Sequence, residues 1–357
     1  MHLVHFACRH FRCLHDLSFN PQPGVNVIRG RNAQGKTSLL EAILFTATSK
    51  SHRTNVENEL VTHGQEGCHL CATAQRADRE VTIEAHWWRG MKRVKVNRVS
   101  QARVSDILGK IAVVLFSPDD IVLIKGTAAH RRKFLDMELS QINTGYLNAL
   151  QRYRHALRQR NELLRAYKPD PDLLDVWDAQ LADHGAVLVR ERRGFLSALG
   201  ARASDAYGRI AEREQFALEY RPDATPEHGL GTVLAKARAA DLRRQTTTRG
   251  PHRDDFSMVV ADSTARNFGS QGQQKTAALA LKLAEIRLVK ERTGEYPVLM
   301  LDEVLSELDE RRSRRLFEAI DEQVQCLVTT TDVARHRGLF GQRPALYRIE
   351  RGRLEEE

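Results

Sequence analysis

The amino-acid sequence predicts an α/β fold with a mixed sheet and an antiparallel β lobe, into which a helical hairpin is inserted. A glycine-rich loop at residues 30–38 lies between an apolar strand and a helix. Runs that alternate between apolar and polar residues follow between residues 68 and 96, as in antiparallel strands. A mostly helical stretch from about Thr127 to Leu242 then interrupts the α/β pattern, which resumes near Phe256. The middle of the chain is therefore expected to be an insertion in an α/β domain.

The glycine-rich loop fits the pattern G-x-x-x-x-G-K-[ST], whose backbone N–H groups surround nucleotide phosphates. The strand Val25–Ile28 precedes it, and an apolar helical run follows it. Glycines let the backbone approach the phosphates closely, and the helix N-terminus adds a dipole that favours anions. Lys36 is expected to contact the β- and γ-phosphates, and Thr37 to bind Mg²⁺. The predicted nucleotide contacts are Gly30, Arg31, Asn32, Ala33, Gln34, Gly35, Lys36, Thr37 and Ser38.

The composition favours a soluble cytoplasmic protein. Hydrophobic residues make up 41% of the 357 residues and charged residues 28%, which are globular values. No apolar run is long enough to span a bilayer and no basic-then-apolar leader is present, so we expect neither a membrane protein nor a secreted one. Five cysteines, an odd number, argue against a disulfide framework. The formal net charge of +9 suits a polyanionic partner.

Strands are predicted throughout the part of the chain that precedes the helical stretch. They are Leu3–Phe6, Leu17–Phe19, Val25–Ile28, Cys68–Gln75, Val81–Trp88, Lys92–Val96 and Ile111–Phe116. The three alternating runs are expected to form an antiparallel meander, and the continuous apolar run at 111–116 a buried strand. Cys68 and Cys71 have the spacing of half a zinc site, but no second pair exists and the alternation around them favours a strand.

The helical stretch contains two segments whose apolar residues recur at three- and four-residue spacing. One segment runs from Tyr146 to Leu164 and the other from Leu174 to Leu188, and Lys168–Pro171 breaks the helix between them. Two such helices joined by a tight turn make an antiparallel hairpin. We therefore predict a head of residues 1–120 and 245–357 and an arm of residues 121–244. Candidate DNA contacts on the first helix of the arm are Arg152, Arg154, Arg158 and Arg160.

Two further motifs complete the predicted site. The apolar strand Pro297–Leu301 ends in Asp302 and Glu303. An acid at the end of a strand beside a phosphate loop holds Mg²⁺ through water, and Glu303 is placed to polarise an attacking water. Upstream, Ser270-Gln271-Gly272-Gln273-Gln274 opens a long amphipathic helix, whose N-terminus is suited to bind phosphate. The loop Ser306–Asp309 follows the acidic strand end.

The order of these motifs resembles that of the ABC-type ATPases, and the short inserted arm is similar to that of the SMC branch. Further motifs resemble the RecF family of bacterial replication and recombination proteins. These are Lys50-Ser51-His52-Arg53-Thr54, Phe116-Ser117-Pro118-Asp119-Asp120, Arg131-Arg132-Lys133-Phe134-Leu135-Asp136 and Gly250-Pro251-His252-Arg253-Asp254-Asp255. The resemblance extends over nearly the whole chain, and the ordered set is far more specific than any one motif.

The resemblance implies ATP and Mg²⁺ as cofactors, with catalytic roles for Lys36, Asp302 and Glu303. It also implies that Ser270, Gln271, Gly272 and Gln273, with Asp309, complete the nucleotide site of a second copy in an ATP-dependent dimer. The resemblance further implies DNA binding at junctions of duplex and single strand in gaps, and a part in DNA repair, replication and the SOS response. It also implies RecO and RecR as partners in loading recombinase. A DNA-stimulated, slow ATPase is therefore expected.

Two departures from the pattern of ABC transporters leave the residue that senses the γ-phosphate open. Pro118-Asp119 stands where transporters carry a glutamine, and Thr329-Thr330-Thr331-Asp332 stands where they carry a histidine. The alternative functions are the nucleotide-binding subunit of a transporter and a scaffold that binds ATP without cleaving it. A transporter subunit would lack a basic arm, whereas Glu303 argues against a scaffold without turnover.

Overall fold

The structure, a computed structural model, describes residues 1–54, 56–211, 214–224, 229–340 and 344–357, with the side chain of Val104 left out. The chain forms two compact units, one of residues 1–120 with 279–357 and the other of residues 121–278. The sequence prediction put the second boundary at residues 244–245. In the structure this boundary lies at residues 278–279. The strand at Asp255–Val260 pairs with the strand at Phe216–Arg221, and this pairing keeps both strands in the second unit.

Both units contain strands and helices. The strands are β1 (His2–Phe11), β2 (Leu14–Phe19), β3 (Val25–Arg29), β4 (Gly67–Gln75), β5 (Glu80–Trp88), β6 (Met91–Val96), β7 (Val99–Ser100), β8 (Val113–Phe116), β9 (Phe216–Arg221), β10 (Asp255–Val260), β11 (Ser263–Thr264), β12 (Val298–Asp302), β13 (Cys326–Thr330), β14 (Ala345–Glu350) and β15 (Arg353–Glu356). The helices are α1 (Lys36–Thr48), α2 (Ile121–Lys125), α3 (Ala128–Ile142), α4 (Thr144–Leu164), α5 (Pro171–Ala211), α6 (Leu230–Arg244), α7 (Ala265–Phe268), α8 (Gln271–Thr293), α9 (Val304–Glu307), α10 (Glu310–Ala319) and α11 (Val333–His336).

The first unit contains an antiparallel sheet with the strand order β2-β1-β4-β5-β6-β7. Successive side chains of a strand point to opposite faces, so one face carries the apolar residues of each alternating run. Leu70 of β4 lies opposite Ala85 of β5, and both belong to the core that also holds Leu40 and Ile43 of α1. The predicted meander is confirmed, and β1 is longer than the strand that was predicted at Leu3–Phe6.

A second, mixed sheet of the first unit has the order β15-β14-β3-β13-β12-β8. All of its pairs are parallel except that of β14 with β15. Strands buried on both faces read as continuous apolar runs, which is why 297–301 and 111–116 were recognisable in the sequence. Because neighbouring parallel strands end at the same edge, β3, β13 and β12 bring their last residues together there.

The second unit contains the helical hairpin of α4 and α5, whose chain reverses at residues 165–170. Tyr146, Leu150 and Tyr153 of α4 are buried, as are Leu181 and Leu188 of α5. The predicted inserted hairpin is confirmed. A small antiparallel sheet, β11-β10-β9, lies in the same unit, and β9 occupies a stretch for which the sequence predicted mostly helix.

Across the described ranges, no helix has both the length and the apolar composition that crossing a membrane requires.

Candidate nucleotide-binding and catalytic site

The glycine-rich loop connects the end of β3 to the first turn of α1. Gly35 has a φ of 114°, a left-handed conformation that glycine adopts without strain. A Cβ at Gly30 would lie 2.5 Å from the carbonyl oxygen of Ile349, so a larger residue does not fit there. The ammonium group of Lys36 donates to the carbonyl oxygens of Gly30, at 2.7 Å, and Arg31, at 2.9 Å. The loop is thus folded around its own lysine, whose side chain is buried.

The end of β12 brings the two predicted acids to this loop. The hydroxyl of Thr37 donates to Oδ1 of Asp302 at 3.1 Å, and Nζ of Lys36 lies 2.9 Å from Oε1 of Glu303. Thr329, at the end of β13, donates from its hydroxyl to the same Asp302 oxygen at 2.8 Å and accepts the backbone N–H of Glu303 at 2.9 Å. The structure therefore brings Lys36, Thr37, Asp302 and Glu303 into one cluster that Thr329 holds in register.

The Thr37–Asp302 pair has the chemistry of a magnesium site. Mg²⁺ binds oxygen ligands at about 2.0–2.1 Å in octahedral geometry, so adjacent ligand oxygens lie roughly 2.9 Å apart. The 3.1 Å separation of the threonine hydroxyl and the carboxylate oxygen fits that spacing. Burial raises the pKa of Asp302, and the charge of Glu303 raises it further. The hydrogen bonds from Thr329 and Thr37 act in the opposite direction and lower the pKa. A bound cation would stabilise the ionised carboxylate that burial disfavours.

Glu303 has an unusual backbone conformation. Its φ of 53° lies in the left-handed region, which costs a residue with a side chain free energy. Glu303 is the residue before α9, and its side chain remains partly exposed while it contacts Lys36. Backbone strain of this kind is concentrated at functional sites, where the surrounding structure holds it. The strained residue is thus the one whose carboxylate contacts Lys36 of the loop.

A cavity of about 570 Å³ opens beside the loop. Its lining is strongly basic and consists of Arg29, Gly30, Arg31, Gln34, Thr331, Arg348, Ile349, Glu350 and Arg351. A hydrogen bond joins two residues of the cavity wall: the side-chain oxygen of Gln34 accepts from the backbone N–H of Arg351 at 2.8 Å. This volume lies within the range of about 300–1,000 Å³ that is usual for small-ligand sites. The cavity can accommodate an anionic ligand next to the phosphate loop.

A buried acid on α1 fastens two neighbouring segments to the loop helix. Glu41 is fully buried and accepts from Arg12 at 2.8 and 3.0 Å and from the hydroxyl of Ser51 at 2.5 Å. Burial alone would raise the pKa of Glu41, but the hydrogen bonds from Arg12 and Ser51 outweigh it, so the pKa lies below its usual value. This is the contact through which the Lys50–Thr54 motif joins the site. Sequence reasoning missed it, although a lone acid within the apolar run of α1 is a usable signal.

The residues Ser270–Gln273, which were predicted to complete the nucleotide site of a second copy, lie in the second unit at the start of α8. Ser270 and Gln273 form reciprocal bonds: the amide of Ser270 donates to the side chain of Gln273 at 2.7 Å, and the amide of Gln273 donates to the Ser270 hydroxyl at 3.2 Å. Among the contacts of the described residues, the Ser270 hydroxyl accepts one bond and donates none, so its own hydrogen is available to donate. The exposed Asp309, in the first unit, caps α10 and accepts from the amide of Arg312 at 2.8 Å. Gln271 and Gly272 are the first residues of α8.

The four arginines predicted to contact DNA have different environments. Arg152 and Arg158 are exposed, and Arg154 is half-exposed while it pairs with Asp136 at 2.7 Å. Arg160, by contrast, is fully buried and bonds Asp178 at 2.5 Å and Asp241 at 2.7 Å. The prediction of Arg160 as a DNA contact is therefore wrong, because its guanidinium is held inside the arm by two carboxylates.

The two sheets, the phosphate loop and the acids at the end of β12 define a P-loop ATPase head of the ABC and SMC type. The sequence profile of the RecF/RecN/SMC N terminal domain matches residues 2–338. A DNA replication and repair protein RecF from Symbiobacterium thermophilum is 44% identical over 337 residues, covering 90% of this chain and 89% of the relative. The chain belongs to the RecF family.

Other relatives agree with this assignment over the full length. The DNA replication and repair protein RecF of Limosilactobacillus reuteri (strain DSM 20016) is 40% identical over 371 residues, covering 100% of this chain and 99% of the relative. The solved structure of the recombination mediator protein RecF-ATP in the RecFOR pathway is 33% identical and has a TM-score of 0.92, covering 100% of this chain and 97% of that one. The Smc head domain from Pyrococcus furiosus, at 16% identity and a TM-score of 0.58 over 100% of this chain and 96% of that one, shares the fold.

Proposed function

We propose that this protein is an ATP-dependent DNA-binding protein of recombinational repair and replication-gap processing, which binds and slowly hydrolyses ATP. The observation that carries the proposal is the cluster in which Lys36 and Thr37 of the loop meet Asp302 and Glu303 of β12. A scaffold that binds ATP without cleaving it needs only the phosphate loop, whereas this cluster also supplies a metal ligand and a general base. Membership of the RecF family favours a repair ATPase over a transporter subunit.

The roles of the four residues follow from their positions. Lys36 exchanges its loop carbonyls and Glu303 for the β- and γ-phosphates, where its charge stabilises the negative charge that develops during transfer. Thr37 and Asp302 would hold Mg²⁺, which would offset the negative charge of the phosphates. Glu303, once released from Lys36, accepts a hydrogen bond from the attacking water and orients it. Thr329 keeps Asp302 and Glu303 in register throughout, since it bonds to both.

The proposed active form is a dimer in which each copy completes the nucleotide site of the other. Ser270 supports this proposal, because its hydroxyl hydrogen is available at the exposed N-terminus of a 23-residue helix. At the nucleotide site of the other copy, Ser270 would be joined by Gln271, Gly272, Gln273 and Asp309. Hydrolysis removes the γ-phosphate that both copies bind, so the ADP form is expected to be monomeric.

We propose that the DNA is held by sequence-independent phosphate contacts, at junctions of duplex and single strand. The net charge of +9 and the exposed Arg152 and Arg158 support it, with Arg154 only partly available. RecO and RecR are the proposed partners in loading recombinase, from the pathway to which the RecF-ATP relative belongs. We propose a cytoplasmic location, in which the five free cysteines would stay reduced.

Sedimentation velocity tests the proposal together with phosphate release, each measured with and without gapped DNA. We expect dimers in ATP, monomers in ADP, and phosphate release that DNA accelerates. Glu303→Gln should bind ATP, remain dimeric in ATP and release phosphate more slowly than the wild type by a factor of about 10² or more. Glu310→Gln is the matched control, because Glu310 is an exposed acid of the same segment that pairs only with Arg314 among the contacts of the described residues. Normal hydrolysis by Glu303→Gln would overturn the assignment of the base.

A further inference from the structure

A cluster of metal-binding side chains lies on the antiparallel sheet of the first unit, away from the phosphate loop. His69 of β4 is directly opposite His86 of β5, and Glu84 lies two residues before His86 on the same face. The other face of both strands packs against the core: Leu70 and Ala85 are buried there. The three side chains therefore share the outer face of the sheet.

The geometry of the three side chains is close to that of a metal site. The imidazole rings of His69 and His86 are stacked with centroids 4.1 Å apart, and Nε2 of His86 is 3.9 Å from Oε2 of Glu84. One ligand atom from each residue lies within 4.8 Å of the other two. Ligand atoms on one tetrahedral Zn²⁺, with bonds of about 2.0–2.2 Å, are roughly 3.3–3.5 Å apart. To form such a site, side-chain rotations would have to shorten separations of up to 4.8 Å by about 1.4 Å.

One ring nitrogen of His69 has no hydrogen-bond partner among the residues that the structure describes. This nitrogen, Nε2, is buried, and burial without a partner costs free energy. A metal ion bound at this nitrogen would supply the partner that the described residues do not provide.

The next cross-strand residue pair on the outer face of β4 and β5 offers a fourth metal ligand. Cys71 lies directly opposite Glu84, two residues from His69, and so on the same outer face. Cys68, three residues away from Cys71, is buried on the core side. The two cysteines therefore lie on opposite faces of the sheet and do not form a pair, and Cys71 shares the outer face with the histidines.

We propose that His69, His86 and Glu84 form a transition-metal site, with Cys71 as the fourth ligand and Zn²⁺ as the fitting ion. Two imidazoles, a carboxylate and a thiolate are zinc ligands, whereas Mg²⁺ prefers oxygen ligands alone. This site is therefore distinct in chemistry from the Thr37–Asp302 pair. The metal joins β4 to β5 on the face opposite the core they share with α1, so it stabilises the sheet behind the loop helix.

Metal titration of the untagged, full-length, nucleotide-free protein tests the site directly. We expect one Zn²⁺ per chain, a higher melting temperature with Zn²⁺, and a visible absorption band with Co²⁺ that indicates tetrahedral coordination. His86→Gln is the informative variant, because the His86 side chain is nearly half exposed and the change leaves the core intact. It should weaken Zn²⁺ binding by about tenfold or more, as should His69→Gln. His15→Gln, an exposed histidine of β2, is the matched control and should bind normally.

Three results decide the proposal. Unsaturable Zn²⁺ binding, or equal loss of affinity in His86→Gln and His15→Gln, would overturn it. Circular dichroism of each variant separates loss of ligand from loss of fold. In the Co²⁺ protein, a near-ultraviolet thiolate band that disappears in Cys71→Ser supports the fourth ligand, and a spectrum without that band overturns the assignment of Cys71.

Discussion

Replacing Glu303 by glutamine is expected to change nucleotide affinity as well as hydrolysis. In the nucleotide-free protein, Lys36 donates to two carbonyl oxygens and pairs with Glu303 at 2.9 Å, so its three hydrogens are used within the protein. Binding of the β- and γ-phosphates must displace at least the Glu303 contact. A hydrogen bond to a charged group contributes about 1.5–3 kcal/mol, and the partial exposure of Glu303 puts this one at the lower end. Glu303→Gln should therefore tighten binding of ATP and ADP by about tenfold.

The assay must separate this effect from dimerisation, since a dimer that cannot hydrolyse ATP also holds it longer. Fluorescent ADP measures the affinity without a γ-phosphate, and the Glu303→Gln/Ser270→Arg double variant measures ATP binding by the monomer. The same tightening in both is the expected result, with Glu310→Gln at the wild-type affinity. Unchanged or weaker ADP binding by Glu303→Gln would refute the idea that this ion pair competes with the nucleotide.

Three further predictions concern the metal ligand and the arm. Because burial raises the pKa of Asp302, its ionised form opposes folding above that pKa, so Asp302→Asn should raise the melting temperature of the nucleotide-free chain by a few degrees at neutral pH. The gain should shrink as the pH falls through the raised pKa, and a gain that persists in acid would contradict this cause. Arg152→Gln with Arg158→Gln should make the log–log salt dependence of DNA binding shallower by about 0.9 for each DNA phosphate that the variant no longer neutralises; an unchanged slope would place the DNA elsewhere. Arg160→Met should not change the salt dependence of DNA binding. It should instead destabilise the second unit by about 3–5 kcal/mol in denaturant unfolding, because buried carboxylates lose their partner.

The sequence predicted the parts of the site that depend on local pattern. Strand, glycine loop and helix are adjacent in the chain, and Asp302 ends an apolar run of the kind that parallel sheets contain. Their meeting at one sheet edge follows from the parallel arrangement of β3 and β12. Thr329 escaped prediction because its role depends on β13 lying between those two strands, which is information about topology rather than sequence. The left-handed φ of Glu303 likewise has no local signal.

Arg160 and the second domain boundary show the same limit. Arg160 follows Tyr153 and Leu157 at four- and three-residue steps, so its position lies on the buried side of α4. Its charge suggested a surface, because the acids that neutralise it, Asp178 and Asp241, come from α5 and α6. The boundary near residue 245 was placed before β10, whose pairing with β9 joins residues more than thirty positions apart. Long-range pairing of this kind is invisible to local periodicity.

A mixture of two inactive variants tests the proposed shared site most directly. Lys36→Met removes the charge aimed at the phosphates, and Ser270→Arg places a long cation where the small hydroxyl would meet them. A mixed dimer has one site with an intact loop and an intact Ser270, and one site with both defects. Equal mixing should restore about a quarter of wild-type ATPase activity, because half of the dimers are mixed and each has one working site. Full activity of Ser270→Arg alone, or loss of ATP binding by its monomer, would contradict the shared site.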